Sequence, residues 1–224
     1  MHQPDWCDVL RSVVAFLASR KQNFASIGLV LKMTVTQLGE LAEVQAGYPF
    51  RGSVPYVQGG NAFALQMRDL APDGLVNWSG LVQTDVDEGK GGAQWLVPGD
   101  IVFVARGGRN YAVCLTEVPL PAVCSQYFFL LRLERRDVLP EFLSWQINQL
   151  PAQRYFAKTA EGSDQLSIRR GVLEQLQVAI PPLEEQQRFV DLAATALKEK
   201  RVLEAMIRNR QQQLDALAID LASN

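Results

Sequence analysis

Residues 161–221 read EGSDQLSIRRGVLEQLQVAIPPLEEQQRFVDLAATALKEKRVLEAMIRNRQQQLDALAIDL. The short apolar run LQVAI stops at Pro181-Pro182, and some forty residues without Gly or Pro follow. Proline fixes φ and has no amide donor, so the pair separates a strand from a helix. Glu184 and Glu185 fall in the first turn, where the helix dipole favours negative charge. At 1.5 Å per residue this helix is roughly 57 Å long, too long to be buried by a small domain.

Its apolar spacing says what it packs against. Gln186, Phe189, Ala193, Ala196, Lys200, Leu203, Ile207, Arg210, Leu214, Leu217 and Leu221 follow alternating steps of three and four, and eight of the eleven are apolar. A sustained heptad predicts a coiled coil. The expected dimerisation positions are Phe189, Ala193, Ala196, Leu203, Ile207, Leu214, Leu217 and Leu221. Lys200 and Arg210 either set register within the seam or extend their head groups to solvent. The competing reading is a single long surface helix of a globular domain.

Composition removes several functions. The chain has 224 residues, 48% hydrophobic and 21% charged, which suits one soluble core. Cys7, Cys114 and Cys124 form no CxxC pair and no even-numbered framework, predicting reduced thiols and a cytoplasmic location. The opening MHQPDWCD lacks a basic segment before an apolar one, against a secretory signal, and no apolar run is long enough for a membrane helix. His2 is the one histidine, which argues against Ser-His-Asp, Cys-His and most metal sites. Gly89-Lys90-Gly91-Gly92 lacks the spacing of a phosphate-binding loop and reads as a hairpin turn. The acids Asp85, Asp87 and Glu88 read as a solvated loop. No catalytic site and no metal site is expected.

Charge alone is uninformative about nucleic acid. The net is −2, and Thr34 to Leu150 holds eight Lys/Arg against twelve Asp/Glu, a balance of −4. DNA affinity rests on neutralised phosphates, so any DNA role needs locally grouped arginines or a basic partner.

Three segments are expected. Residues 1–33 carry Trp6, Val9, Leu10, Val13, Val14, Phe16 and Leu17 at helical spacing, predicting an N-terminal helical extension. Residues 34–180 show Gly or Pro every eight to twelve positions between short β-type runs: VPYV, GDIVFVA, YAVCLTEV and CSQYFFLLRL. VTQLGELAEVQAG reads as a strand, a short helix and a turn at Gly47, while 137–160 returns to helical periodicity. Residues 181–224 are the long helix. The expected fold class is α/β: a compact domain with a twisted, mostly β core and flanking helices, then one long C-terminal coiled-coil helix.

Several segments in order resemble the DNA specificity subunit of type I restriction–modification systems. QLGELAEVQAGYPFRG resembles the opening of that family's target-recognition domain, and YVQGGN the strand that follows. PGDIVFVARGGRN resembles its central GDI strand and basic glycine turn, and EGSDQLSIRRGVLEQLQVAIPPLEEQQRFV its junction into the helix. The match covers about Thr34 to Asn224, and the junction is its most specific part. Family members carry two recognition domains and two long helices, so this chain resembles a half-length form.

The resemblance implies a non-catalytic subunit acting as a homodimer on a bipartite, palindromic DNA site. It implies a methyltransferase (modification) subunit as partner, carrying S-adenosylmethionine and adenine methylation, and a restriction subunit where one completes the complex. No cofactor is expected in this chain. Residues able to reach double-stranded DNA from glycine-flanked loops are Arg51, Ser53, Gln58, Asn61, Lys90, Arg106, Arg109, Asn110, Ser163 and Gln165. Arginine pairs with guanine and Asn or Gln with adenine through two hydrogen bonds, while serine suits phosphate. Ser125 is a further phosphate candidate, and Tyr48 and Phe50 read as packing residues. The alternative function is a coiled-coil protein–protein interaction module without sequence-specific DNA binding.

Overall fold

The structure, a computed structural model, describes residues 33–87, 93–160 and 167–223. The helix expected over residues 1–33 therefore lies outside the described residues, apart from Met33. The fold is mixed α/β with one long C-terminal helix.

Among the described residues nine strands form three small sheets: β1 (Thr34–Gln37), β2 (Ala42–Ala46), β3 (Ala62–Leu65), β4 (Val82–Thr84), β5 (Ile101–Val104), β6 (Ala112–Cys114), β7 (Ala122–Cys124), β8 (Phe128–Leu133) and β9 (Gln177–Ile180). The central sheet is antiparallel in the order β2-β8-β5-β6, a second sheet runs β4-β3-β7, and β1 pairs with β9. The helices are α1 (Pro140–Ile147), α2 (Leu150–Thr159), α3 (Arg170–Glu174) and α4 (Leu183–Ser223).

The central sheet is buried on both faces, which explains the unbroken IVFV of β5. Successive side chains point to opposite faces. Ile101, Phe103 and Leu131 enter one core with Phe142, Leu143, Ile147 and Phe156 of the helices. Val102, Val104, Phe128 and Leu130 enter the other, with Leu65, Ala122 and Cys124 of the second sheet. The GDI motif has a structural cause. Gly99 turns at φ +90, and Asp100, almost fully buried, takes two hydrogen bonds of 2.8 and 2.7 Å from the Arg132 guanidinium.

Three local expectations differ from the fold in part, and the helical one gains detail. VTQLGELAEVQAG has the expected strand, β1, and a short helix that is one 3₁₀ turn at Leu38–Glu40, but a second strand, β2, follows before Gly47 because Val44 and Ala42 pair along β8. VPYV is irregular and YVQGGN turns at Gln58-Gly59: Pro55 has no amide to give, and Val57 makes a single ladder-like bond to Gln83. The strands there are AFAL and VQT instead. The helical stretch 137–160 is two helices, parted at Asn148-Gln149 so that Pro151 sits in the first turn of α2.

The long helix α4 has 41 residues, about 60 Å. Its first turns are seated on the domain. Gln186 is completely buried; its amide donates to the Asp137 and Pro181 carbonyls and accepts from the Leu139 amide, all at 2.8 Å. Phe189 stacks on Trp145 with ring centroids 5.2 Å apart and touches Phe142 at 6.0 Å. Further along, Arg201 holds Asp73 at 3.1 Å. Beyond this point Leu203, Ile207, Leu214, Leu217 and Leu221 are all more than half exposed. Gln186 and Phe189, placed in the seam by heptad spacing, thus serve the chain's own core. The apolar stripe left open begins about two turns later.

Candidate DNA-reading face

Three chain segments meet around β7 and β8 because of one close approach. Tyr48 donates its amide to the Cys124 carbonyl at 2.7 Å and bridges Ser125, which brings the loop after β2 onto the end of β7. Gly47 permits this: a Cβ there would lie 2.0 Å from the Ser125 carbonyl oxygen. The Ser125 amide donates to Leu65, tying in the end of β3. Tyr48 and Phe50 then pack ring on ring at 4.8 Å over a small core, as packing residues.

A cleft of about 530 Å³ results, lined by Gly52, Ser53, Val54, Gln66, Ser125, Gln126 and Tyr127. Arg51 stands exposed beside it, immediately before Gly52. The basic glycine turn lies next to it. Ala105 donates to the Tyr127 carbonyl at 2.9 Å, and a Cβ on Gly107 would sit 3.5 Å from the Met67 sulfur. Gly107 has φ +140, a conformation that suits glycine. Arg106 and Arg109 project from this turn, both exposed. Arg106 also bridges Ser167, and Ile168 donates to the Ala105 carbonyl, so the chain resumes after 161–166 against the same turn.

The candidates separate by what their side chains already do. Arg51, Ser53, Arg106 and Arg109 are exposed on this face. Among the described residues none of the three arginines has an ion pair, whereas Arg68, Arg132 and Arg135 are matched to Asp69, Asp100 and Asp137. Asn61 and Asn110 are committed elsewhere. Asn61 exchanges two 2.9 Å hydrogen bonds with the Val86 backbone, and buried Asn110 donates to the Val104 carbonyl, closing the glycine turn. Each therefore shapes a loop. Gln58 is exposed but stands over β4, the far edge of the second sheet from β7. Lys90, Ser163 and Gln165 lie outside the described residues.

Residue reasoning missed Gln66, Gln126 and Tyr127, and placed Ser125 as a phosphate contact. A signal for Ser125, Gln126 and Tyr127 exists in CSQY, three polar positions interrupting an otherwise apolar run between β7 and β8. Two ionisable groups border the face. Burial raises the Asp69 carboxyl, against hydrogen bonding from Gln66 and the charge of Arg68; burial also raises the Tyr111 phenol, against Arg109. The thiols of Cys114 and Cys124 are pushed up to about 12, chiefly by burial, which makes them poor nucleophiles. Among the described residues no helix is long and apolar enough to cross a membrane.

The chain belongs to the type I restriction modification DNA specificity domain family, whose pattern matches residues 31–205. Its fold is similar to the S subunit of a type I restriction–modification system from M. genitalium (TM-score 0.55, 13% identity, 84% of this chain and 45% of that one). It is also similar to the HsdS subunit from Thermoanaerobacter tengcongensis (TM-score 0.53, 16% identity, 87% and 49%). A third similar chain comes from a study of complex assembly and conformational transition in a type I R-M system (TM-score 0.59, 16% identity, 95% and 54%). The chain thus spans about half the length of these solved structures. No curated protein sequence gave a match.

Proposed function

We propose that this chain is the DNA sequence-recognition subunit of a type I restriction–modification (adenine methyltransferase) complex. It reads a bipartite palindromic site as a homodimer. The observation that carries the reading is the gathering of three arginines, Arg51, Arg106 and Arg109, without ion pairs among the described residues, beside one polar cleft of a domain otherwise balanced toward acid. Exposed arginines on glycine loops suit phosphates and guanine edges. The acidic balance makes binding by the isolated chain weak, so the modification subunit supplies most phosphate contacts as well as S-adenosylmethionine and the methyl transfer.

The exposed stripe on α4 supports pairing with a second copy. Two such helices packed antiparallel place two identical reading faces at the ends of a rod about 60 Å long, which sets the spacer between half-sites. Ala193, Ala196, Leu203, Ile207, Leu214, Leu217 and Leu221 line the proposed seam.

The test is selection from a randomised duplex pool by the complex reconstituted with a modification subunit. The expected product is a split motif with two inverted halves and a fixed gap. Arg106→Ala with Arg109→Ala is expected to lower affinity for that motif by roughly a hundredfold, as two lost base or phosphate contacts would. An unselective complex would instead favour a coiled-coil interaction module.

A further inference from the structure

Buried polar side-chain atoms are nearly always hydrogen-bonded, and those that are not ask for an explanation. Five such atoms lack a partner among the described residues: Gln45 Oε1, Gln66 Nε2, Thr84 Oγ1, Ser125 Oγ and Gln126 Oε1. Three of the five line the single cleft between residues 52–54 and 125–127. Ser125 is 1% exposed, with its backbone fixed by Leu65 and Tyr48.

The two amides have defined orientations. The Asp69 amide donates to the Gln66 backbone carbonyl and the Gln66 backbone amide donates back to Asp69 Oδ2, both at 3.0 Å. Gln66 Nε2, a donor, is left without a partner among the described residues. Gln126 Nε2 donates to the Phe50 carbonyl at 3.1 Å, leaving Oε1, an acceptor. The cleft thus holds one oriented donor, one oriented acceptor and a hydroxyl able to play either part.

We propose that this cleft reads one adenine through its major-groove edge, with Gln66 donating, Gln126 accepting and Ser125 completing the contact. In the major groove guanine offers two acceptors, cytosine a donor, and thymine an acceptor beside a methyl group. Adenine alone offers, on one base, an acceptor (N7) next to a donor (the N6 amino group). A single base that satisfies both oriented amides is therefore adenine. Arg51 at the rim, next to Ser53, is placed to take the adjoining phosphate. The inference rests on the DNA-recognition reading above and adds the residues that specify one position of the site.

The test uses the full chain assembled with its modification subunit and the duplex motif that this complex selects. Each adenine is replaced in turn by 7-deazaadenine, which lacks N7, and by purine, which lacks the amino group. One position in each half-site is expected to lose about tenfold in affinity with each analogue. Ser125→Ala and Gln126→Met are expected to weaken binding and to abolish most of the analogue effect at that position only. Ser125→Ala removes a hydroxyl that has no hydrogen-bond partner among the described residues, so its thermal midpoint should stay level or rise. Analogue effects unchanged in both variants, or a Ser125→Ala protein that melts well below the parent, would overturn the inference while leaving DNA recognition intact. A parent complex with no sequence preference would remove the recognition reading and this inference with it.

Discussion

Replacing Ile207 and Leu214 together by glutamate is expected to turn a dimer into a monomer with an unchanged fold. Both side chains are open in the single chain, 69% and 53% exposed, so neither stabilises the protomer. Urea unfolding of the variant should therefore stay within about 0.5 kcal/mol of the parent protomer. In a paired seam each residue buries apolar surface on two symmetry-related helices, about 2 kcal/mol per side chain. A glutamate at the same position must also be buried without a partner. The combined loss exceeds about 4 kcal/mol, so the dimer dissociation constant should rise by at least roughly a thousandfold. Light scattering at micromolar concentration reads the outcome. A variant that keeps dimeric mass would show that this stripe is not the contact. The helix register, not its existence, would then need revision.

Gly47→Ala is expected to be the most damaging single-methyl change in the domain. Its added carbon would meet the Ser125 carbonyl oxygen at 2.0 Å and carbon at 2.7 Å, and the Cys124 carbonyl oxygen at 2.8 Å. These are backbone atoms in the bridge that joins the loop after β2 to β7, and no side chain can swing aside. A loss of about 3 kcal/mol or more follows. At a few degrees per kcal/mol, the thermal midpoint should fall by about 10 °C. Because the clash pushes on Ser125, the cleft should deform as well, and selective DNA binding should fall further than stability alone predicts. Gly108→Ala is the control: a Cβ there meets no atom within 4 Å, and its midpoint should barely move.

Some of this protein was legible in its residues, and the reasons differ by element. The break at Pro181-Pro182 and the helix after it are local chemistry: a missing amide donor, a fixed φ, and forty residues free of both Gly and Pro. Strand β5 was legible because burial on both faces requires an unbroken apolar run. β3, β4 and β7 escaped notice because AFAL, VQT and AVC are too short to show a period. The same limit applied to the seam. Heptad spacing is continuous from Gln186 onward, yet Gln186 and Phe189 are claimed by Leu139, Asp137 and Trp145.

The reading face divides in a similar way. Arg106 and Arg109 were visible, since arginines flanking a glycine pair mark an exposed turn. Asn61 and Asn110 looked the same from residue type alone. Their amides are consumed by Val86 and Val104, and the first of these bonds spans 25 positions that only the fold brings together. Gln66 and Gln126 show the converse. They are sixty positions apart, and their shared cleft exists because Gly47 lets three segments meet at Ser125.

The central claim is that this chain chooses where a partner methylates DNA. It is tested most directly by mapping adenine methylation genome-wide in cells that express the modification subunit with and without this chain. Methylation is expected at one split, inverted motif when the chain is present, and that motif is expected to be lost when the chain is absent or carries Arg106→Ala and Arg109→Ala. A methylation pattern that does not change on removing the chain would contradict it.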